Sequence, residues 1–122
     1  MNPYLASIIT SLLLTLAAEL TAAAVLRVRK PTDYLFIALV NCFTNPIVNL
    51  IYYFSVVFLP EPVPYFIMAL LEVAVVFTEA LLFSRLLSYK RLRPIIFSLI
   101  LNASSFAAGW IFVLIKSILF SQ

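Results

Sequence analysis

The sequence predicts an all-α, polytopic membrane protein: a bundle of four transmembrane helices made of two helical hairpins that repeat in parallel. Hydrophobic residues make up 65% of the 122 residues and charged residues only 11%, whereas soluble domains average about 25% charged residues. Four long apolar segments alternate with short proline-containing turns, and basic residues gather in alternate turns. A composition with so little polar surface excludes a soluble enzyme, a disordered protein and a free nucleic-acid-binding protein.

Four segments are long enough to cross the hydrocarbon of a bilayer, which takes about 20 mostly apolar residues in an α-helix. The predicted spans cover 4–26, 34–59, 64–87 and 94–120, in a single transmembrane domain of 1–122. We interpret the first as a retained span rather than a signal peptide, because no basic segment precedes it. Proline lies in every connection, where a helix can begin but cannot continue: Pro31, Pro60, Pro62 and Pro94.

The basic residues predict the orientation of the spans. Seven of the eight Lys and Arg residues lie in 27–30 and 85–93, whereas the second connection has none and contains Glu61. Cytoplasmic loops of membrane proteins carry the excess of Lys and Arg. We therefore expect a multi-pass protein of the cell membrane, with loops 27–33 and 85–93 in the cytoplasm and both termini outside. Binding of a lipid headgroup or of a ligand phosphate is the alternative reason for the two basic clusters.

The polar features of the first half of the chain recur in the same order in the second half. Glu19 and Glu79 are 60 residues apart, and Asn41 and Asn102 are 61 residues apart. Each half would form one hairpin with the same direction through the membrane, and an axis along the membrane normal would relate the two. Chance similarity between two amphipathic hairpins is the alternative.

Each predicted span carries one polar face, because residues four and seven apart share a face of a helix. The four faces are Ser11, Thr15 and Glu19; Asn41, Thr44, Asn45 and Asn49; Glu72 and Glu79; and Ser98, Asn102, Ser105 and Gly109. Lipid offers no hydrogen-bond partners, so these faces should turn inward. At about 1.5 Å per residue, both glutamate–asparagine pairs of the repeat fall at one depth, roughly 10–12 Å from the basic turns.

This polar layer is the candidate binding site. A buried, ionised carboxylate is costly, so it must bind a cation, meet an arginine or take up a proton. Oxygen donors suit hard cations such as Na⁺, Ca²⁺ or Mg²⁺, although the sequence identifies no metal. The predicted ion- or substrate-binding residues are Glu19, Glu72, Glu79, Asn41, Thr44, Asn45, Asn49 and Asn102, with Arg27 and Arg85 as charge partners. The alternative is that neutral glutamates and asparagines only join helices by hydrogen bonds.

Pro46 removes one backbone hydrogen bond in the middle of the second span. Next to Thr44, Asn45 and Asn49, the freed carbonyl group could face a polar cavity, as it does in broken helices that line ion sites. A kink that serves packing is the alternative.

The sequence contains few of the residues that usually catalyse reactions. It has no histidine and one cysteine, which excludes Ser–His–Asp and Cys–His catalytic groups, His-ligated zinc and an intramolecular disulfide. Acid–base chemistry by glutamates alone would have to work without extramembrane domains. We therefore expect neither an enzyme nor a cofactor.

Two resemblances add to these predictions. Met1-Asn2-Pro3-Tyr4 and Ala18-Glu19 resemble the N-terminal span of the small multidrug transporter family. That resemblance implies a dimer of four-span chains in which one membrane glutamate, here Glu19, exchanges protons. The single glycine and single tryptophan of this chain depart from that family. The wider pattern of the chain resembles uncharacterised four-span membrane proteins of Gram-positive bacteria, and this resemblance implies no activity. The residues that carry it are Glu19, Arg27, Asn41, Thr44-Asn45-Pro46, Glu79, Arg85, Pro94 and Asn102.

Together these observations predict a small transporter or channel for a cation or a proton, which acts through membrane glutamates and asparagines. Four helices leave little room for a central pore, so we expect a homodimer or a larger assembly in the bilayer. The alternative is a non-catalytic assembly factor or accessory subunit that binds another membrane protein.

Overall fold

The computed structural model describes residues 2–121 and contains four α-helices: α1 Pro3–Val25, α2 Pro31–Phe58, α3 Val63–Leu86 and α4 Pro94–Phe120. Each helix is long and apolar enough to cross a membrane. The predicted all-α fold of four apolar helices in a bundle is confirmed, and every helix begins and ends within three residues of its predicted span. Residues 1 and 122, at the ends of the predicted domain, lie outside the described residues.

Proline marks the beginning of all four helices. α1, α2 and α4 begin at Pro3, Pro31 and Pro94, and Pro64 is the second residue of α3. Proline is tolerated there because the first N–H groups of a helix have no partner within it. The connection between α2 and α3 is only 59–62, so these two helices must run antiparallel as neighbours.

The four helices form a square. α1 packs against α2 and α4, and α3 packs against the same two helices, whereas within residues 2–121 the backbones of α1 and α3, and those of α2 and α4, do not approach closely. Two hairpins related by a twofold axis would give this order, and the repeat itself stays a prediction. We call the end that carries 26–30 and 87–93 the basic end. The other end, with 59–62 and the ends of α1 and α4 nearest the termini, is the opposite end.

The apolar core lies in the half of the bundle next to the basic end. Phe83 and Phe97 are fully buried, and their rings meet edge to face with centroids 5.6 Å apart. The other members of this core are Ala23, Val28, Ile37, Val40, Leu87 and Leu101. By contrast, every residue of α4 from 110 to 120 is exposed in the isolated chain. The helices therefore pack closely near the basic end and less closely towards the opposite end.

Buried polar contacts fix the two connections at the basic end. Asp33, in the first turn of α2, accepts hydrogen bonds from the Ser88 backbone N–H at 2.9 Å and from the Ser88 hydroxyl at 2.9–3.0 Å. The Tyr34 hydroxyl donates to the carbonyl oxygen of Val28. The Tyr89 hydroxyl donates to the carbonyl oxygen of Leu26 at 2.8 Å. Sequence spacing does not predict the Asp33–Ser88 contact, which joins the first turn of α2 to a residue 55 positions away in the connection between α3 and α4.

Arg27 ends α1 in a conformation that favours glycine. Its φ is 68°. The N–H groups of Arg27 and Val28 donate to the carbonyl oxygens of Ala24 and Ala23, at 3.0 Å each. These two bonds form a Schellman motif, and Arg27 occupies the position where glycine is the commonest residue. A residue with a side chain in the left-handed region costs about 1–2 kcal/mol. Glycine avoids this cost, but the greater chain entropy that it loses on folding costs roughly 0.5–1 kcal/mol.

Arg27→Gly is therefore expected to leave the free energy of unfolding unchanged or to raise it by up to about 1 kcal/mol. Denaturant unfolding of the purified protein in detergent micelles measures this change. Arg29→Gly removes the same charge from the same connection, at an exposed position without a positive φ, and should bring no gain. A gain of equal size in both variants would show that charge, and not backbone strain, sets the difference.

Candidate functional site

A cavity of about 390 Å³ lies between the four helices, and it is large enough to hold several water molecules. Seven of the eight predicted binding residues line it: Asn41, Thr44, Asn45, Asn49, Glu72, Glu79 and Asn102. The apolar part of the wall includes Met68, Phe106 and Trp110. The polar faces of the four helices thus meet at one cavity, which is partly open to the outside of the chain.

Hydrogen bonds join the polar faces of α1 and α2 in a regular series. Because the helices are antiparallel, each step of four residues along α1 is met by a step of four in the reverse direction along α2. Three pairs are bonded: Ser7 with Tyr53, Ser11 with Asn49 at 3.4 Å, and Thr15 with Asn45 at 3.2 Å. The next pair in this series is Glu19 with Asn41.

At Glu19 the series of hydrogen bonds stops. Glu19 is 0% exposed, and neither oxygen of its carboxyl group has a hydrogen-bond partner. The Nδ2 group of Asn41, the residue that continues the series opposite Glu19, donates to the carbonyl oxygen of Ile37 at 2.9 Å. A buried carboxyl group without partners is costly unless it binds a proton or a cation.

Glu19 is also the one predicted binding residue that does not line the cavity. It lies one helical turn beyond Thr15, towards the basic end. The structure therefore places it just past the deep end of the cavity, on the side of the apolar core.

Glu79, by contrast, has a donor for each carboxyl oxygen. It is 1% exposed. Its Oε1 accepts from the hydroxyl of Thr44 at 3.2 Å, and its Oε2 accepts from Nδ2 of Asn102 at 3.0 Å. Residues of α2 and α4 thus orient a carboxyl group that belongs to α3.

The Thr44 hydroxyl has two possible acceptors. It lies 3.2 Å from Oε1 of Glu79 and 3.0 Å from the carbonyl oxygen of Val40, and its single proton can be donated to only one of them at a time. When Glu79 is ionised, Thr44 can donate to it. When Glu79 carries a proton, it can donate to Thr44, which then donates to Val40. The site therefore accommodates both protonation states of Glu79 without leaving a donor unpaired.

Glu72 completes the acidic set. It lies seven residues before Glu79, on the same face of α3 and about two turns nearer the opposite end, and it is half-buried in the wall of the cavity. Glu72 thus lines the outer part of the cavity, Glu79 lines its deeper part, and Glu19 lies just past its deep end.

The predicted charge partners lie elsewhere. Arg27 and Arg85 are exposed at the basic end. Glu79 has Thr44 and Asn102 as its partners, and Glu19 has none. Neither arginine therefore reaches these two carboxyl groups in the part of the chain that the structure describes.

The predicted break at Pro46 is absent, because α2 runs as one helix from Pro31 to Phe58. The carbonyl group that Pro46 leaves without its helical donor is that of Cys42. Cys42 is exposed, and neither it nor Pro46 lines the cavity. The side chains of Asn45 and Asn49 form the polar wall instead, so the packing alternative fits this proline better.

Within residues 2–121, no three or more His, Cys, Asp or Glu side chains gather into a group that could hold a metal ion. No protein-family model matches the chain, and no curated protein or solved structure shows significant similarity to it. The two resemblances drawn from its motifs stay predictions.

Proposed function

We propose that the protein is a small transporter or channel that moves a cation or a proton through the bundle by way of Glu72, Glu79 and Glu19. One observation carries the proposal: two of these carboxyl groups line a single cavity, and the third is buried just past it without a hydrogen-bond partner. Buried polar groups that serve only to join helices normally have partners. An unpartnered carboxyl group is suited instead to receive a proton or a cation.

Two further features support movement of a proton in particular. The hydroxyl of Thr44 can reverse its hydrogen bond as Glu79 gains or loses a proton. Glu72 and Glu79 line one cavity and Glu19 is buried beside it, and like charges in one site disfavour simultaneous ionisation. A proton that arrives at one carboxyl group therefore changes the affinity of the next one.

The apolar core separates the glutamates from the basic end. Ile37, Phe83 and Phe97 are buried between the cavity and that end. Transport would therefore require these side chains to move, so that the glutamates become accessible from the basic end. We propose the cell membrane as the location, with the basic end in the cytoplasm and both termini outside. We also propose a homodimer or a larger assembly, and neither catalysis nor a cofactor is part of the proposal.

Flux through the purified protein in liposomes tests this function. An imposed proton or monovalent-cation gradient should decay faster than in empty liposomes. Glu72→Gln should slow the decay by roughly tenfold, because it removes the acidic group that concentrates cations in the outer part of the cavity. Glu61→Gln, which removes the same charge from the exposed connection between α2 and α3, should leave the rate unchanged. Decay of both gradients at the rate of empty liposomes would overturn the proposal.

The second proposal is an assembly factor or accessory subunit that binds another membrane protein. The observation that favours it is the series of hydrogen bonds between α1 and α2, which suits polar residues that serve only to join helices. Purification from native membranes in mild detergent separates the two functions. A stable, stoichiometric partner, together with no flux from the chain alone, would favour the accessory role.

A further inference from the structure

A second cavity, of about 330 Å³, lies at the basic end between the two connections. Both connections contribute side chains to it, and the first turn of α2 contributes one. The lining residues are Arg27, Arg29, Lys30, Asp33, Ser88, Tyr89 and Arg91. None of them belongs to the site between the helices, so this cavity is a separate feature of the molecule.

The second cavity is strongly positive. Four of its lining side chains are cationic and one is a carboxylate, which gives a formal charge of +3 (four minus one). The carboxylate of Asp33 accepts hydrogen bonds from the backbone and the hydroxyl of Ser88, so its hydrogen bonds hold the two connections together. Four like charges around one cavity repel each other unless an anion lies between them.

The cavity is also held in shape by the fold. Tyr34 and Tyr89 bond to backbone carbonyl groups of the first connection, and Asp33 binds the second connection at Ser88. The Schellman motif at the end of α1 holds Arg27 in its left-handed conformation. A ligand that binds here would not have to order these connections first, which lowers the cost of binding.

We propose that this cavity binds a phosphate group, carried either by the headgroup of an anionic lipid or by free phosphate. Three arginines and a lysine supply the charge-assisted, forked hydrogen bonds that phosphate oxygens accept most strongly. Basic pockets between transmembrane helices are known to hold lipid headgroups. The volume of about 330 Å³ leaves space for part of an attached alcohol beside the phosphate. The proposal depends neither on the transport function nor on the orientation of the chain.

Calorimetric titration of the purified, delipidated protein in detergent tests the proposal with two probes. One arm uses inorganic phosphate, and the other uses short-chain phosphatidic acid, with phosphatidylcholine of the same chain length as the zwitterionic control. Saturable binding of at least one phosphate probe, in preference to phosphatidylcholine, is expected. Binding of phosphatidic acid alone would identify a lipid headgroup as the ligand. Equal binding of both probes would identify the phosphate group itself, and either result supports the proposal.

Two double variants distinguish a built site from general attraction of anions. Arg29→Gln with Arg91→Gln removes two cations that line the cavity and should raise the Kd by at least about tenfold. Arg85→Gln with Arg93→Gln removes two exposed cations from the same end, outside the cavity, and should leave the Kd unchanged. An equal loss of affinity in both double variants, or no binding of either probe to the unmodified protein, would overturn the proposal.

Arg27→Gly keeps the test independent of folding. It removes a third lining cation at a position where glycine is expected to leave the protein as stable as before. It should therefore weaken binding of the phosphate probe severalfold while the unfolding midpoint is unchanged or higher. Undiminished binding by this variant and by the Arg29, Arg91 double variant would likewise overturn the site.

Discussion

Glu79→Gln is expected to reduce the flux of the cation or proton to the rate of empty liposomes, while the four helices stay folded. Glutamine has the size and shape of glutamate, so the packing around α3 should be preserved. Its amide group, however, neither carries a negative charge nor exchanges a proton, and it offers one acceptor oxygen in place of two. One of the two donors, Thr44 or Asn102, would then face an NH₂ group, although each retains an acceptor in its own helix.

The assay is gradient decay in liposomes, and circular dichroism reports whether the variant is helical. Glu61→Gln serves as the charge-matched control. Thr44→Val tests the proposed reversal of the hydrogen bond, because it removes the hydroxyl and keeps the shape of the side chain. It should slow proton flux while Glu79 remains able to bind a cation. Undiminished flux in both Glu79→Gln and Glu19→Gln would dispose of conduction through these residues.

The fold could be predicted because the bilayer imposes strict rules on length and polarity. Each apolar segment had to form a helix, since only helices and closed barrels satisfy the backbone in lipid. The polar residues at steps of four had to find partners inside the bundle. For that reason the sequence alone predicts that the faces containing Thr15, Asn45 and Glu79 point inward, and all three residues lie in the bundle as expected.

The hydrogen bonds within the site could not be predicted in the same way. Asn41 is spaced to bond with Glu19 just as Asn45 bonds with Thr15, yet its amide donates to Ile37 in its own helix. Which acceptor an asparagine chooses depends on its rotamer and on sub-ångström differences in helix separation. Spacing along a sequence contains no information on either. The unpartnered state of Glu19 was therefore visible only in three dimensions.

The contact between Asp33 and Ser88 escaped the sequence analysis for a different reason. The basic residues around Asp33 indicate topology, and nothing in the local sequence of Asp33 indicates a distant partner. The helix dipole favours an acidic residue in the first turn of a helix. The dipole alone therefore accounts for the presence of Asp33, without any partner. Its role in joining the two connections depends on a residue 55 positions away, and no local rule relates the two.

Glu19→Leu is expected to raise the free energy of unfolding by about 1–3 kcal/mol and to abolish flux. The carboxyl group is fully buried and has no hydrogen-bond partner. Leucine has a similar volume and removes that desolvation cost, and Asn41 keeps its hydrogen bond to the carbonyl oxygen of Ile37. Denaturant unfolding in micelles measures the gain, and gradient decay in liposomes measures the loss.

Glu79→Leu is expected to change the free energy of unfolding in the opposite direction in the same assay. It removes the acceptor of one hydrogen bond from Thr44 and of one from Asn102, and it should therefore lower the free energy of unfolding by about 1 kcal/mol or more. A loss of stability in Glu19→Leu as well would show that the Glu19 carboxyl group contributes to the fold. A gain of stability combined with a loss of flux would mean that the protein retains a destabilising carboxyl group because conduction requires it.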